Sequence, residues 1–204
     1  MFANESKGER YPCLSPKAGC LMFDNKGIGD LPVFPEFLTD MRVLVCPADS
    51  DAALLEDPLK KSDPKVMIDE HSYFYLGYVV RSEDEVKAFA QAYKERIKEG
   101  LAFDENLTTH AGTLYLLREG VERFLITDIA NPVLESEAQA IKAKIPVLIE
   151  RPGNHVPEGG NVLFLDGHVE FLRYGQSGRW PMTKTTIETL QTLDKLPRDE
   201  KPGM

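Results

Sequence analysis

The sequence predicts an α+β domain in which an antiparallel sheet packs on helices, and three stretches carry that prediction. The first is Gly159 to Gly175, an apolar run, then Asp166-Gly167, then a second apolar run, which is the strongest short-range hairpin signal. The second is Ser72 to Val80, dense in aromatic and β-branched residues, as a central strand is. The third is Ser82 to Gly100. Ser82 and Glu85 form a capping box, Val86, Phe89, Ala90, Tyr93 and Ile97 recur at helical spacing, and Gly100 ends the helix.

The chain has 204 residues, enough for one domain with a real core, and the reading assigns 1–204 to a single globular unit. Its 42% hydrophobic and 28% charged residues are those of an ordinary globular protein. A net charge of −9 argues against nucleic acid as a partner, because that binding relies on clustered Lys and Arg. No stretch approaches the ~20 apolar residues of a membrane helix.

Taken in order, residues 1–10 read as the end of a helix stopped near Gly8 and Pro12. Residues 11–70 form a long ordered loop region, rich in Pro, Gly and Asp through Asp40. Within it, Phe34 to Leu38 is a helical turn that plugs the core, Val43 to Val45 a short strand, and Asp51 to Glu56 one or two helical turns. Residues 71–175 hold the sheet and its inserted helices. Leu114 to Leu117 and Arg123 to Thr127 are strands or extended arms around the Glu119-Gly120 turn. A helix runs from Pro132 to about Ala143, and Pro146 to Glu150 is a strand. Residues 176–204 are a C-terminal loop and an amphipathic helix over Thr185 to Leu196, built on Ile187, Leu190, Leu193 and Leu196.

The hairpin register follows from its turn. With Asp166 and Gly167 as a two-residue type I′ turn, Leu165 faces His168, Phe164 faces Val169 and Val162 faces Phe171. Val162, Phe164, Val169 and Phe171 then share an apolar face, opposite Leu163, Leu165, His168 and Glu170.

Motifs for catalysis are scarce. The sequence has no Gly-x-Ser-x-Gly, phosphate loop, His-Glu-x-x-His or Cys-x-x-Cys, and Lys26-Gly27-Ile28-Gly29-Asp30 is too short for a dinucleotide fingerprint. The suggestive cluster is His155, Glu158, Asp166 and His168, two imidazoles and two carboxylates that would suit zinc or iron if they converged. A secreted metal-dependent hydrolase centred on His155, Asp166 and His168 is the enzymatic alternative. The bland explanations are backbone ones: Asp166 suits the turn, His168 stands beside it, and His155 anchors the Pro/Gly loop. Tyr73, Phe74, Tyr75 and Tyr78 fit either a core strand or a carbohydrate-stacking platform. Cys20 and Cys46, 26 residues apart in similar loops, form a disulfide in an oxidising compartment or stay reduced with Cys13.

A resemblance adds to this. Arg151-Pro152-Gly153-Asn154-His155, followed by Gly159-Gly160-Asn161-Val162-Leu163-Phe164-Leu165-Asp166-Gly167-His168, resembles the C-terminal signature of a bacterial pseudopilin-like family labelled H-X9-DG. Ten residues separate His155 from Asp166 here, one more than the label counts. Asn4 to Arg10, Val45-Cys46-Pro47, Arg118 to Phe124 and Asp128 to Pro132 extend the likeness over most of the chain.

The resemblance implies a pilin-like fold, with the sheet packed against an N-terminal helix that is truncated in this chain. It implies a non-catalytic filament subunit of a type II secretion or type IV pilus-like system. Its partners would be copies of itself, other pseudopilins, secretion-system components and the inner membrane, in the bacterial cell envelope with a periplasmic or extracellular head. His155, Gly159, Gly160, Asn161, Asp166, Gly167 and His168 would be its structural motif. Related major pseudopilins also bind Ca²⁺, for which Asp128, Asn131, Glu150 and Asn154 offer hard oxygens, and no ligand set is assigned.

Overall fold

The C-terminal hairpin is one half of a four-stranded antiparallel sheet. The computed structural model describes residues 1–25, 32–50, 72–125 and 135–197. Its strands are β1 (Tyr73–Tyr75), β4 (Pro146–Glu150), β5 (Gly159–Phe164) and β6 (Val169–Arg173), in the order β1-β4-β5-β6. A separate small hairpin joins β2 (Leu107–Thr109) to β3 (Gly112–Leu114). Among the described residues the α-helices are α1 (Phe2–Glu5), α2 (Glu83–Glu99), α3 (Glu135–Lys142) and α4 (Lys184–Asp194). The α+β class is therefore as expected.

Local chemistry explains each boundary. Ser82 caps α2 by accepting from Glu85 N–H, and Gly100 closes it in the left-handed region at φ 67°. The Glu85 carboxylate reaches one residue past the reciprocal half of the capping box, to Arg81 N–H at 2.6 Å. Thr183 caps α4, whose Ile187, Leu190 and Leu193 are fully buried. α2 and α4 pack on each other. Arg151 lies 4.2 Å over the Phe74 ring and pairs with Asp194, which ties β4 to the end of α4.

Several expectations change. The strand expected over 73–80 stops at Tyr75, because Gly77 takes φ +70°. A Cβ there would also meet Leu14 N at 3.3 Å. Val43 to Val45 is not a strand: Met41–Leu44 is a 3-10 helix, started by Asp40 accepting from Arg42 N–H. After Gly120, Val121–Phe124 is likewise a 3-10 helix. The turns expected at 51–56, the glycine run at 26–30, the end of the arm at 126–127 and the start of the helix at 132–134 lie outside the described residues.

The hairpin forms, but its register differs by one residue. Leu163 pairs with Val169, Val162 with Glu170 and Asn161 with Phe171. The connection is three residues long. Gly167 N–H donates to Phe164 O, Phe164 N–H donates to His168 O, and Gly167 sits at φ +91°, a turn closed by a glycine bulge. Val169 and Phe171 consequently face outward, 60% and 44% exposed, while Leu172 is buried. The inner sheet row is Phe74, Ile149 and Val162, all essentially inaccessible. The next row, on the opposite face, runs Tyr73, Glu150, Asn161, Phe171.

Phe74, Tyr75 and Tyr78 are buried, with the Tyr75 and Tyr78 hydroxyls donating to Pro12 O and Glu105 O, so these aromatics are core. No helix among the described residues is long and apolar enough to cross a membrane.

Candidate functional site

Glu150 ends an otherwise apolar strand, and its side chain is fully buried. A carboxylate in that position needs partners, and the hairpin supplies them. Oε2 accepts the backbone N–H of Asn161 at 2.7 Å and its Nδ2–H at 2.8 Å. Oε1 lies 2.9 Å from Nε2 of His155.

The two glycines before Asn161 make this approach feasible. A Cβ on Gly160 would sit 2.9 Å from both Cβ and O of Glu150 and 2.8 Å from Cε of Met182. A Cβ on Gly159 would sit 2.6 Å from Leu172 O and 2.9 Å from the Phe171 ring. Gly159-Gly160-Asn161 is thus a seat for Glu150, with bare backbone where its stem passes and an amide where its oxygens end.

His155 reaches Glu150 from the loop after a 3-10 turn, Pro152–Asn154, and packs edge-on against Phe171 with centroids 5.7 Å apart. Asn154 Nδ2 donates to Ser72 O, so this loop is tied to the entrance of β1. The third member is Cys46. Its N–H donates to Ser72 Oγ, its Sγ accepts Ala48 N–H at 3.3 Å, and Sγ lies 3.5 Å from His155 Nε2. The Ser72 hydroxyl donates in turn to Asp49 at 2.6 Å.

The donor atoms of Cys46, Glu150 and His155 all lie within 4.8 Å of one another, the arrangement of a cluster able to hold a metal ion. Electrostatics mark the same place. Burial pushes the Glu150 carboxyl up, but hydrogen bonds from Cys46, Asn161 and His155 outweigh it and hold it below the ordinary carboxylate range. Burial, then the hydrogen bond to Glu150, pushes the Cys46 thiol up. Tyr73, on the same sheet row, is pushed up to about 12 by burial and by the negative Glu150.

The same geometry excludes a nucleophile relay in this arrangement. In such a relay the imidazole uses one nitrogen toward the thiol and the other toward the carboxylate. Here Nε2 faces both.

The residues singled out in the sequence separate into two places. His155, Gly159, Gly160 and Asn161 gather around Glu150. Asp166, Gly167 and His168 stand at the hairpin tip, about 15 Å away along β5 at ~3.3 Å per residue. There Asp166 Oδ1 pairs with His168 Nδ1 at 2.6 Å, and the His168 ring stacks on Phe164 at 4.5 Å. His155, Asp166 and His168 therefore do not converge, and the hydrolase centre built on them is not formed. Glu158 is exposed and its backbone carbonyl accepts Tyr174 N–H.

The Cys20–Cys46 bond is not formed either. Cys13, Cys20 and Cys46 are reduced, buried thiols, and Cys46 is turned toward His155. Of the oxygen donors considered for calcium, Asp128 and Asn131 lie outside the described residues, Glu150 is in the cluster, and Asn154 bonds Ser72. Sequence reasoning missed Cys46 and Glu150 as partners of His155. The available signal was the doubled glycine, which announces close backbone approach inside a strand. Scans against protein-family models, curated proteins and solved structures return no match to the chain.

Proposed function

We propose that this chain is the globular head of a pseudopilin-like filament subunit, a structural protein rather than an enzyme. The observation that carries the reading is α1. Phe2 and Ala3 of this helical turn are buried, and Phe2 packs edge-on against Phe37 with centroids 5.2 Å apart. A helical stem joined there would run directly into the head, just before the Asn4 to Arg10 segment that resembles the family. The antiparallel sheet ending in the Gly-Gly-Asn and Asp-Gly hairpin agrees with that reading, as does a histidine that turns the same nitrogen toward both thiol and carboxylate.

In this role the stem helices of many copies would bundle, and heads would contact neighbours, other pseudopilins and secretion components at the inner membrane of a bacterial envelope. The calcium implied by the resemblance does not suit the Cys46 cluster, since sulfur and imidazole are poor ligands for a hard cation.

The test is the reading frame upstream of Met1. A basic leader followed by ~20 apolar residues, enough to span a bilayer, is the expected result. A frame with no apolar segment before this head would overturn the filament role.

A further inference from the structure

We propose that Cys46, Glu150 and His155 form a zinc site that pins the loop around Cys46 to the base of the C-terminal hairpin. The inference stands apart from the filament reading and rests on the cluster itself.

Distances come first. Zinc–sulfur and zinc–nitrogen or zinc–oxygen bonds of ~2.3 and ~2.0 Å set tetrahedral edges of roughly 3.5 and 3.3 Å. The Sγ to Nε2 separation is 3.5 Å and the Nε2 to Oε1 separation 2.9 Å, so small side-chain rotations complete the geometry.

Charge is the second argument. Cys46 is 3% exposed and the Glu150 side chain is fully buried. A thiolate and a carboxylate together carry the charge that cancels a divalent cation, and a neutral imidazole adds none. Bound zinc would leave a neutral centre in a buried place, whereas the carboxylate alone leaves a buried anion.

Valence is the third. A neutral imidazole nitrogen has either one proton or one lone pair to offer. Nε2 cannot satisfy both Sγ and Oε1 fully, but a cation between the three atoms accepts from all of them.

The supporting bonds are those of a metal site. Ala48 N–H donates to the sulfur, Asn161 fixes the carboxylate, and Ser72 and Asn154 hold the two loops on which Cys46 and His155 ride. The S, N, O donor set selects zinc over calcium or magnesium. The His155 side chain is 28% exposed, which leaves a route by which water could supply a fourth ligand. On binding, the Cys46 S–H bond breaks and its proton leaves to solvent. The Glu150 to Nε2 hydrogen bond opens, the imidazole proton resides on Nδ1, and Sγ, Nε2 and Oε1 each bond the metal.

The experiment strips the full chain with a chelator and titrates it with Zn²⁺, Ca²⁺ and Co²⁺. The expected result is one zinc per chain, no competition from excess Ca²⁺, and a thiolate-to-cobalt charge-transfer band with Co²⁺. Cys46→Ala removes the band and weakens zinc binding by more than ~100-fold, beyond the loss typical of outer ligands. His155→Gln weakens it likewise, and Cys13→Ala changes neither. Substoichiometric zinc, absence of the band in the wild-type chain, or a band that survives in Cys46→Ala overturns the proposal. If Cys46→Ala does not fold, the wild-type band and His155→Gln decide it: an absent band, or zinc affinity unchanged in His155→Gln, overturns it.

Discussion

Oε2 of Glu150 accepts both the backbone N–H and the side-chain amide of Asn161, at 2.7 and 2.8 Å. One residue of the hairpin thus serves a buried anion on the neighbouring strand twice. Asn161→Ala removes only the side-chain bond. A hydrogen bond to a charged group contributes about 1.5–3 kcal/mol, so urea unfolding should show a loss of that size. Asn161→Asp should lose more at neutral pH, since it sets a second carboxylate beside the first.

The seat beneath Glu150 makes a second prediction. Gly160→Ala puts a methyl group 2.9 Å from Glu150 O, and backbone does not yield as a side-chain end would. Overpacking of this kind costs about 1–3 kcal/mol. Gly153→Ala, where nothing lies within 4 Å of the added atom, is the control and should stay within about 0.5 kcal/mol of wild type. Equal losses at both positions would mean that the contact with Glu150 is not what requires glycine.

These residues also show what could be read from the chain in advance. α2 was legible because Ser82 and Gly100 state its ends in local chemistry and its apolar face repeats without interruption. The hairpin was legible as a hairpin, but Asp-Gly serves a two-residue turn and a three-residue loop with a glycine bulge equally well, and the choice moves every side chain to the other face. His155 and Asn161 stood out, yet their common partner did not. Glu150 reads as the polar end of an apolar strand. Cys46 comes far earlier in the chain and is brought to His155 across the fold, with Ser72 bonded to both loops. Proximity of that kind is a property of topology, which local spacing does not encode.

In protein kept metal-free by chelator, the Glu150 shift predicts an acid limit to stability. Its folded pKa lies below the unfolded value of about 4.3. The carboxylate therefore contributes stability in full above that pH and loses it as pH falls through the folded value. Glu150→Gln should be less stable than wild type at neutral pH, and the gap should close on acidification. Cys46 has the opposite sign. Its folded pKa is raised, so its contribution is present below about 8.5 and is lost as pH rises. Paired pH–stability curves for wild type and Cys46→Ala should accordingly approach one another on the alkaline side. A constant gap across the whole range would argue against both assignments.

The hairpin register itself can be tested by two substitutions on one strand. In the observed register Leu172 points into the core and Val169 points to solvent. The register with a two-residue turn would exchange those roles. Leu172→Ala should therefore cost about 2–5 kcal/mol, the usual penalty for emptying a buried leucine site, whereas Val169→Thr should change stability by less than about 0.5 kcal/mol. The two residues lie on the same edge strand and differ in the face they occupy, so strand propensity and distance from the turn cannot account for a contrast that large. A costly Val169→Thr beside a mild Leu172→Ala would place the strand in the slipped register. It would also pull Phe171 away from His155, so the same pair of measurements tests the ring contact that depends on this pairing.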